Sequence, residues 1–278
     1  MKCRIRYEPS MPTFTKDEFT VHYDVHGEGE PVLCIMGITA PGEVWADHVA
    51  EWSQKFQCIT PDNRGVGQTD KPAGDYTSEM LAGDQIALLD HLGIEKAHVV
   101  GCSMGSIVAQ QIALLYPERV KSVTLMCTWA RCDNFAKSVF SHILHCKAHF
   151  KSEDFMEYLQ LLIFDKRSWD NPEFYASLLE GREGAAVDEN PQPLHGLVGQ
   201  CAACTEHNTL DQLSSLTAPT LVIGGETDVF TPRWMADEVH DKLPNSTLHL
   251  YPRSGHAFHW ENLEDFNQRV AEHISKNS

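Results

Sequence analysis

Ala97-His98-Val99-Val100-Gly101-Cys102-Ser103-Met104-Gly105-Ser106 is the stretch whose reading decides the fold. It begins as a short apolar run, of the length and composition of a strand buried on both faces. From Ser106 to Tyr116 the residues have helical character, and Pro117 ends the run. No loop separates strand from helix. Between them stands Gly101-Cys102-Ser103-Met104-Gly105, a G-x-S-x-G pattern set on an abrupt strand-to-helix turn. A serine there is forced into a strained backbone that pushes its hydroxyl out of the sheet, and small neighbours are needed because Cβ atoms would collide in so tight a bend.

Working outward, the same alternation continues in both directions. Glu18 to Asp24 alternates as an edge strand. Pro31 to Met36 is continuously apolar and stops at Gly37, and Cys58-Ile59-Thr60 leads into the glycine-rich loop Pro61-Asp62-Asn63-Arg64-Gly65-Val66-Gly67. Helices are predicted over Trp45–Phe56 and Ser78–Leu92, the latter with Ser78 as N-cap and Gly93 as stop. Further along come a strand from Val120 to Met126, a strand over 219–225, a helix over 233–242, a strand from Ser246 to Tyr251 and a last helix from Glu261 to Ser275. Short apolar strands alternating with helices predict an α/β fold with a mostly parallel central sheet and helices on both faces.

The rhythm breaks from 131 to 213, about eighty residues, too many for a structureless loop. Phe135, Phe140, Phe150, Phe155, Tyr158 and Trp169 fall in this stretch. It reads as an inserted helical cap, so that the core comprises 1–130 and 214–278.

Composition narrows the class. The chain has 278 residues, enough for one large core, and a net charge of −17 that repels phosphate backbones and anionic headgroups. Nucleic acid and membrane surfaces are therefore not expected partners. No apolar run approaches the roughly 20 residues that span a bilayer. Met1-Lys2-Cys3-Arg4-Ile5-Arg6 has charge but no apolar stretch behind it, unlike a secretory signal, which favours the cytoplasm. Nine scattered cysteines read as reduced thiols. Cys201-Ala202-Ala203-Cys204 lacks a second ligand pair, and His142, His145 and His149, with Cys146 alongside, read as a polar cap-helix face. No metal and no cofactor are expected.

A serine nucleophile needs a base, and the base an orienting acid. Both are sought at later strand ends. Glu226-Thr227-Asp228 follows the strand over 219–225, and Asp228 is the preferred acid, with Glu226 the alternative. Ser254-Gly255-His256 follows the next strand. His256 is the preferred base; its rival His259 lies closer to the helix start at Glu261 and reads as a capping or rim residue.

These segments together resemble the α/β-hydrolase fold superfamily: the serine turn, Gly224-Gly225-Glu226-Thr227-Asp228, Ser254-Gly255-His256, and Asp62-Asn63-Arg64-Gly65-Val66-Gly67, similar to that family's D-x-R-G-x-G loop. The closest branch is the esterases and lactonases, including 3-oxoadipate enol-lactonase-like and aclacinomycin methylesterase-like proteins. The resemblance implies Ser103 as nucleophile, Asp228 as acid, His256 as base and an oxyanion hole from the backbone N–H groups of Ile38 and Met104. Many members have His-Gly where this sequence has Met36-Gly37, but the hole uses backbone donors. Fold analogy also suggests an apolar pocket with Trp129 and Phe135 against the substrate.

The expected activity is hydrolysis of a small-molecule carboxylic ester or lactone through an acyl-enzyme. C–C bond hydrolysis and cofactor-free perhydrolysis use the same three residues and stay open, as does a slow-turnover ligand receptor. Dehalogenases and epoxide hydrolases would place a carboxylate at position 103.

Overall fold

The computed structural model describes residues 12–16 and 18–278. The N-terminal Met1–Arg6 segment lies outside the described residues. Eight strands form one sheet: β1 (Thr13–Lys16), β2 (Phe19–His26), β3 (Glu30–Ile35), β4 (Phe56–Pro61), β5 (Ala97–Cys102), β6 (Val120–Met126), β7 (Thr220–Gly225) and β8 (Ser246–Tyr251). Their spatial order is β1-β2-β4-β3-β5-β6-β7-β8. β2 pairs antiparallel with β1 and β4, and every pairing from β4 to β8 is parallel.

Strand periodicity divides the core into two layers. In β3, Leu33 and Ile35 face one layer while Val32 and Cys34 face the other. In β5, Val99 and Val100 part in the same way. The first layer is covered by α2 (Ser78–His91), α3 (Met104–Leu115) and α9 (Arg233–Lys242). The second is covered by α1 (Ala46–Trp52), α10 (Phe258–Glu261) and α11 (Leu263–Lys276). Because both faces of the central strands are buried, their sequences read as continuous apolar runs.

Between β6 and β7 the chain builds the cap from α4 (Asn134–His149), α5 (Ser152–Ile163), α6 (Lys166–Asp170), α7 (Pro172–Val187) and α8 (Leu194–Glu206). Its neck is closed by a bridge between Arg131 and Asn208 and by Thr209 N donating to Ala130 O at 2.9 Å. The insertion therefore leaves and re-enters at one point, and β6 and β7 pair in register as if it were absent.

Several local expectations shift. β1 is unforeseen, because four residues on a sheet edge give too short a pattern to read. The cap of α2 is Thr77, whose side chain accepts from Met80 N, while Ser78 is the first helical residue. Helix α3 starts at Met104, two residues earlier than its sequence suggests. The helix expected over Trp45–Phe56 is a 3-10 turn over Gly42–Trp45 followed by α1. Among the described residues no helix is long and apolar enough to cross a membrane.

Candidate active site

Ser103 occupies the junction of β5 and α3 with φ +54° and ψ −118°, a conformation that costs on the order of 1–3 kcal/mol for a residue with a side chain. The surroundings hold it there. Its N–H donates to Met126 O on β6 at 2.9 Å, and its carbonyl accepts from Ser106 N at 2.8 Å and from Ser106 Oγ at 2.7 Å. The flanking glycines are required by contact: a Cβ on Gly101 would collide with the carbonyl of Gly105, and one on Gly105 with the carbonyl of Ile35.

Asp228 and His256 come from the loops after β7 and β8. His256 Nδ1 donates to Asp228 Oδ2 at 2.8 Å, which leaves Nε2 as the lone-pair nitrogen. Asp228 is held by three further donors, Phe230 N (2.8 Å) and Thr231 N (2.9 Å) on Oδ1 and Thr231 Oγ1 (2.7 Å) on Oδ2. Oδ1 is thus held by two backbone amides of the loop that leads into α9, while Oδ2 is shared by Thr231 Oγ1 and His256 Nδ1. Thr231 Oγ1 also lies 3.2 Å from His256 Nδ1, a contact with no sequence signature beyond its closeness to Asp228. Burial alone would push the His256 pKa down, but the charge of Asp228 and its hydrogen bond outweigh this, and the pKa is raised above 6.5. Glu226 is exposed and pairs with Arg233 at 3.5 Å.

Ser103 and His256 open onto one cavity of about 110 Å³, lined mainly by apolar groups that include Met36, Ile38, Leu159, Ile163, Phe230 and Trp260. In this state no hydrogen bond joins Ser103 Oγ to His256 Nε2, a link that commonly tightens only around substrate. Segment 36–40 forms one wall. An ideal Cβ on Gly37 would lie 3.1 Å from Ser103 Cβ, so this loop passes directly against the serine. The backbone amides of Ile38 and Met104 find no acceptor among the described residues, as donors reserved for a ligand oxygen would.

Three sequence expectations need correction. Trp129 does not line this cavity. It is 1% exposed and packs against Phe140, with ring centroids 6.2 Å apart, so its side chain turns into the core layer. Phe135 does not line it either. It lies in the first turn of α4 and is 52% exposed to solvent. His259, taken as a rim or capping residue, is buried. Its Nδ1 lies 2.9 Å from His48 Nε2, and it contributes to the cavity wall.

The other sequence features fall elsewhere. His142, His145 and His149 stack along α4, while Cys146 on the same helix is buried. Cys201 and Cys204 lie buried in α8, and desolvation pushes the Cys201 thiol up to about 12. Among the described residues, the one group with His, Cys and carboxylate ligand atoms all within 4.8 Å of one another is Cys127, Asp228 and His256. Two of these already bond to each other.

The comparisons agree with this architecture. Residues 30–145 match the family model described as alpha/beta hydrolase fold, and residues 191–276 match one described as TAP-like protein. A protein of Mycobacterium tuberculosis (strain ATCC 25618 / H37Rv) that carries the name non-heme bromoperoxidase BpoC is 34% identical over 256 residues, covering 88% of this chain and 94% of that one. A 2-hydroxy-6-oxo-6-phenylhexa-2,4-dienoate hydrolase of Burkholderia cepacia is 26% identical, covering 92% of each chain. The crystal structure of the enol-lactonase from Burkholderia xenovorans LB400 superimposes with a TM-score of 0.86 at 22% identity, covering 95% of this chain and 100% of that one, which is a likeness of fold. With a strained serine between β5 and α3, an aspartate after β7 bonded to a histidine after β8, and a relative of this identity along nearly its whole length, the chain belongs to the alpha/beta hydrolase superfamily.

Proposed function

We propose that the protein is a serine hydrolase of small, uncharged carboxylic esters, with Ser103 as nucleophile, His256 as general base and acid, and Asp228 as the group that fixes and charges-compensates the imidazole. The observation that carries this reading is that Ser103 and the Asp228-bonded His256 face the same small apolar cavity. His256 Nε2 takes the Ser103 proton as Oγ attacks the ester carbonyl. The oxyanion is received by the amides of Ile38 and Met104, each worth about 3 kcal/mol in the transition state. Protonated His256 then donates to the leaving alcohol. Water, deprotonated by the same nitrogen, releases the acid and restores Ser103.

The lining narrows the substrate. Among the described residues no lysine or arginine borders the cavity, so a carboxylate on the acyl part would be desolvated without a partner, at a cost of several kcal/mol. The Burkholderia cepacia relative is named for a dienoate, which bears such a group. The cavity supports a short neutral acyl chain instead. The test is a series of aryl esters from acetyl to octanoyl, with ω-carboxylated counterparts of equal length, after fluorophosphonate labelling. Labelling confined to Ser103, fastest turnover at butyryl or shorter and at least a tenfold preference for the neutral ester are expected. Equal rates on charged and neutral esters would remove the substrate assignment, and labelling that persists in Ser103→Ala would remove the mechanism.

The 34% identity to a protein named as a bromoperoxidase favours one second reading on the same residues. Hydrogen peroxide in place of water would attack the acyl-Ser103 carbonyl and leave as the peracid, with His256 taking its proton. Peracid formation from acetate and peroxide, compared with ester hydrolysis in one preparation, separates the two.

A further inference from the structure

We propose that Gln200, on cap helix α8, is a positioning residue for the oxyanion loop, so that the cap helps to set the geometry of Ile38 N–H. The inference rests on the serine-hydrolase reading above and extends it to a residue outside the cavity wall.

Gln200 is fully buried. Its Oε1 accepts from Thr39 N at 3.0 Å, and its Nε2 donates to Arg64 O at 3.0 Å. Gln192, also from the cap segment, donates from Nε2 to Gln200 Oε1 at 2.9 Å and to Gly65 O at 3.0 Å. The orientation of the Gln200 amide is therefore fixed by its partners: a carbonyl on one side requires the NH₂, and two donors on the other require the oxygen.

Thr39 is the residue next to Ile38, and its φ of +66° is a left-handed conformation that a β-branched residue adopts only under constraint. The rest of the loop is pinned from the 62–63 segment. Asn63 Nδ2 donates to Met36 O at 2.8 Å, and Gly42 N donates to Asp62 Oδ1 at 2.7 Å. These bonds fix positions 36 and 42, and between them the bond to Gln200 is the one side-chain bond to a backbone amide of the 37–41 stretch among the described residues. If it is removed, the strained turn at Thr39 is held only through its ends at 36 and 42, and the neighbouring Ile38 amide shifts with it.

Helix α8 is shaped to bring Gln200 this close. Gly196 and Gly199 lie on the same helix as Gln200, although each glycine costs a helix about 1 kcal/mol. A Cβ at Gly196 would collide with the carbonyl of Gly65, and one at Gly199 would come within 2.6 Å of the Tyr76 ring. The helix can therefore press its backbone onto the 63–67 loop, and a side chain of glutamine length bridges that loop to Thr39.

The test compares Gln200→Met, which keeps the volume and removes the polar bonds, with Gln200→Glu, which keeps an acceptor for Thr39 N. Melting temperature is measured alongside, to confirm folded protein. On the preferred aryl ester, Q200M is expected to lower kcat at least tenfold with KM within threefold of the native value. It should also weaken binding of an alkyl boronic acid, whose tetrahedral adduct fills the oxyanion hole, by the same factor as kcat/KM falls. Q200E is expected to retain more of kcat than Q200M. If Q200M does not accumulate as folded protein, Gln200→Ala has the same expected direction. A folded apolar variant with kcat within twofold of native, or one that raises KM alone, overturns the proposal. In either case labelling of Ser103 and its loss in Ser103→Ala still stand, so failure here is distinct from failure of the hydrolase reading.

Discussion

Asp228 Oδ2 stands 2.8 Å from His256 Nδ1, although the two residues belong to loops that follow different strands. The loops meet because β7 and β8 pair in register up to Gly225 and Tyr251, and because Gly225 lies so close under the carbonyls of Ser254 and Gly255 that any Cβ there would collide with them. The pair is thus fixed by sheet register rather than by either loop alone.

Replacing Asp228 by asparagine leaves the space filled but presents a neutral amide to Nδ1, removing the charge and permitting the wrong tautomer. A loss of kcat of about 10⁴-fold is expected. Glu226→Gln, at an exposed residue that pairs with Arg233, should stay within threefold of native. Steady-state kinetics on one aryl ester decides it; the reverse ranking would identify Glu226 as the acid.

Thr231→Val removes the hydroxyl that donates to Asp228 Oδ2 at 2.7 Å while keeping the shape. A hydrogen bond to a charged group contributes about 1.5–3 kcal/mol, so kcat should fall by about one order of magnitude with KM little changed. Unchanged kcat in T231V would mean that the two backbone amides on Oδ1 suffice to orient the carboxylate.

The proposed mechanism needs His256 unprotonated at Nε2. Asp228 raises its pKa against the opposing effect of burial, so activity should climb with pH and reach half its plateau above pH 6.5. In Asp228→Asn the same midpoint should move to lower pH, since the charge that raises the pKa at Nδ1 is gone while the lowering effect of burial remains. A pH profile of kcat/KM for both proteins measures the displacement and its sign.

Burial pushes the pKa of His48 down to about 4 and that of His207 to about 3, so both are neutral in the fold. The unfolded chain binds protons at these positions below about pH 6.5, whereas the folded chain does not. The stability they contribute is therefore present above pH 6.5 and is lost as pH falls toward 4, by on the order of 3 kcal/mol for each residue. Melting temperature followed from pH 7.5 to 4 should drop most steeply in that window, and His48→Gln combined with His207→Gln should flatten the slope. An equal slope in the double variant would assign the acid sensitivity to other groups.

Much of the molecule was legible in the linear sequence because it depends on local periodicity. Continuous apolar runs identify strands buried on both faces, and the G-x-S-x-G turn between strand and helix identifies Ser103, since both follow from the sterics of a few neighbouring residues. Asp228 and His256 could be nominated, each beside a rival, because loops at strand ends are where such groups sit. The choice between Asp228 and Glu226, the buried place of His259, the exclusion of Trp129 and Phe135 from the cavity and the link from Gln200 to Thr39 were decided only in three dimensions. Each depends on which way a side chain points once strands distant in sequence have paired and the cap helices have docked. No residue's immediate neighbours specify that direction; the packing of the whole sheet does.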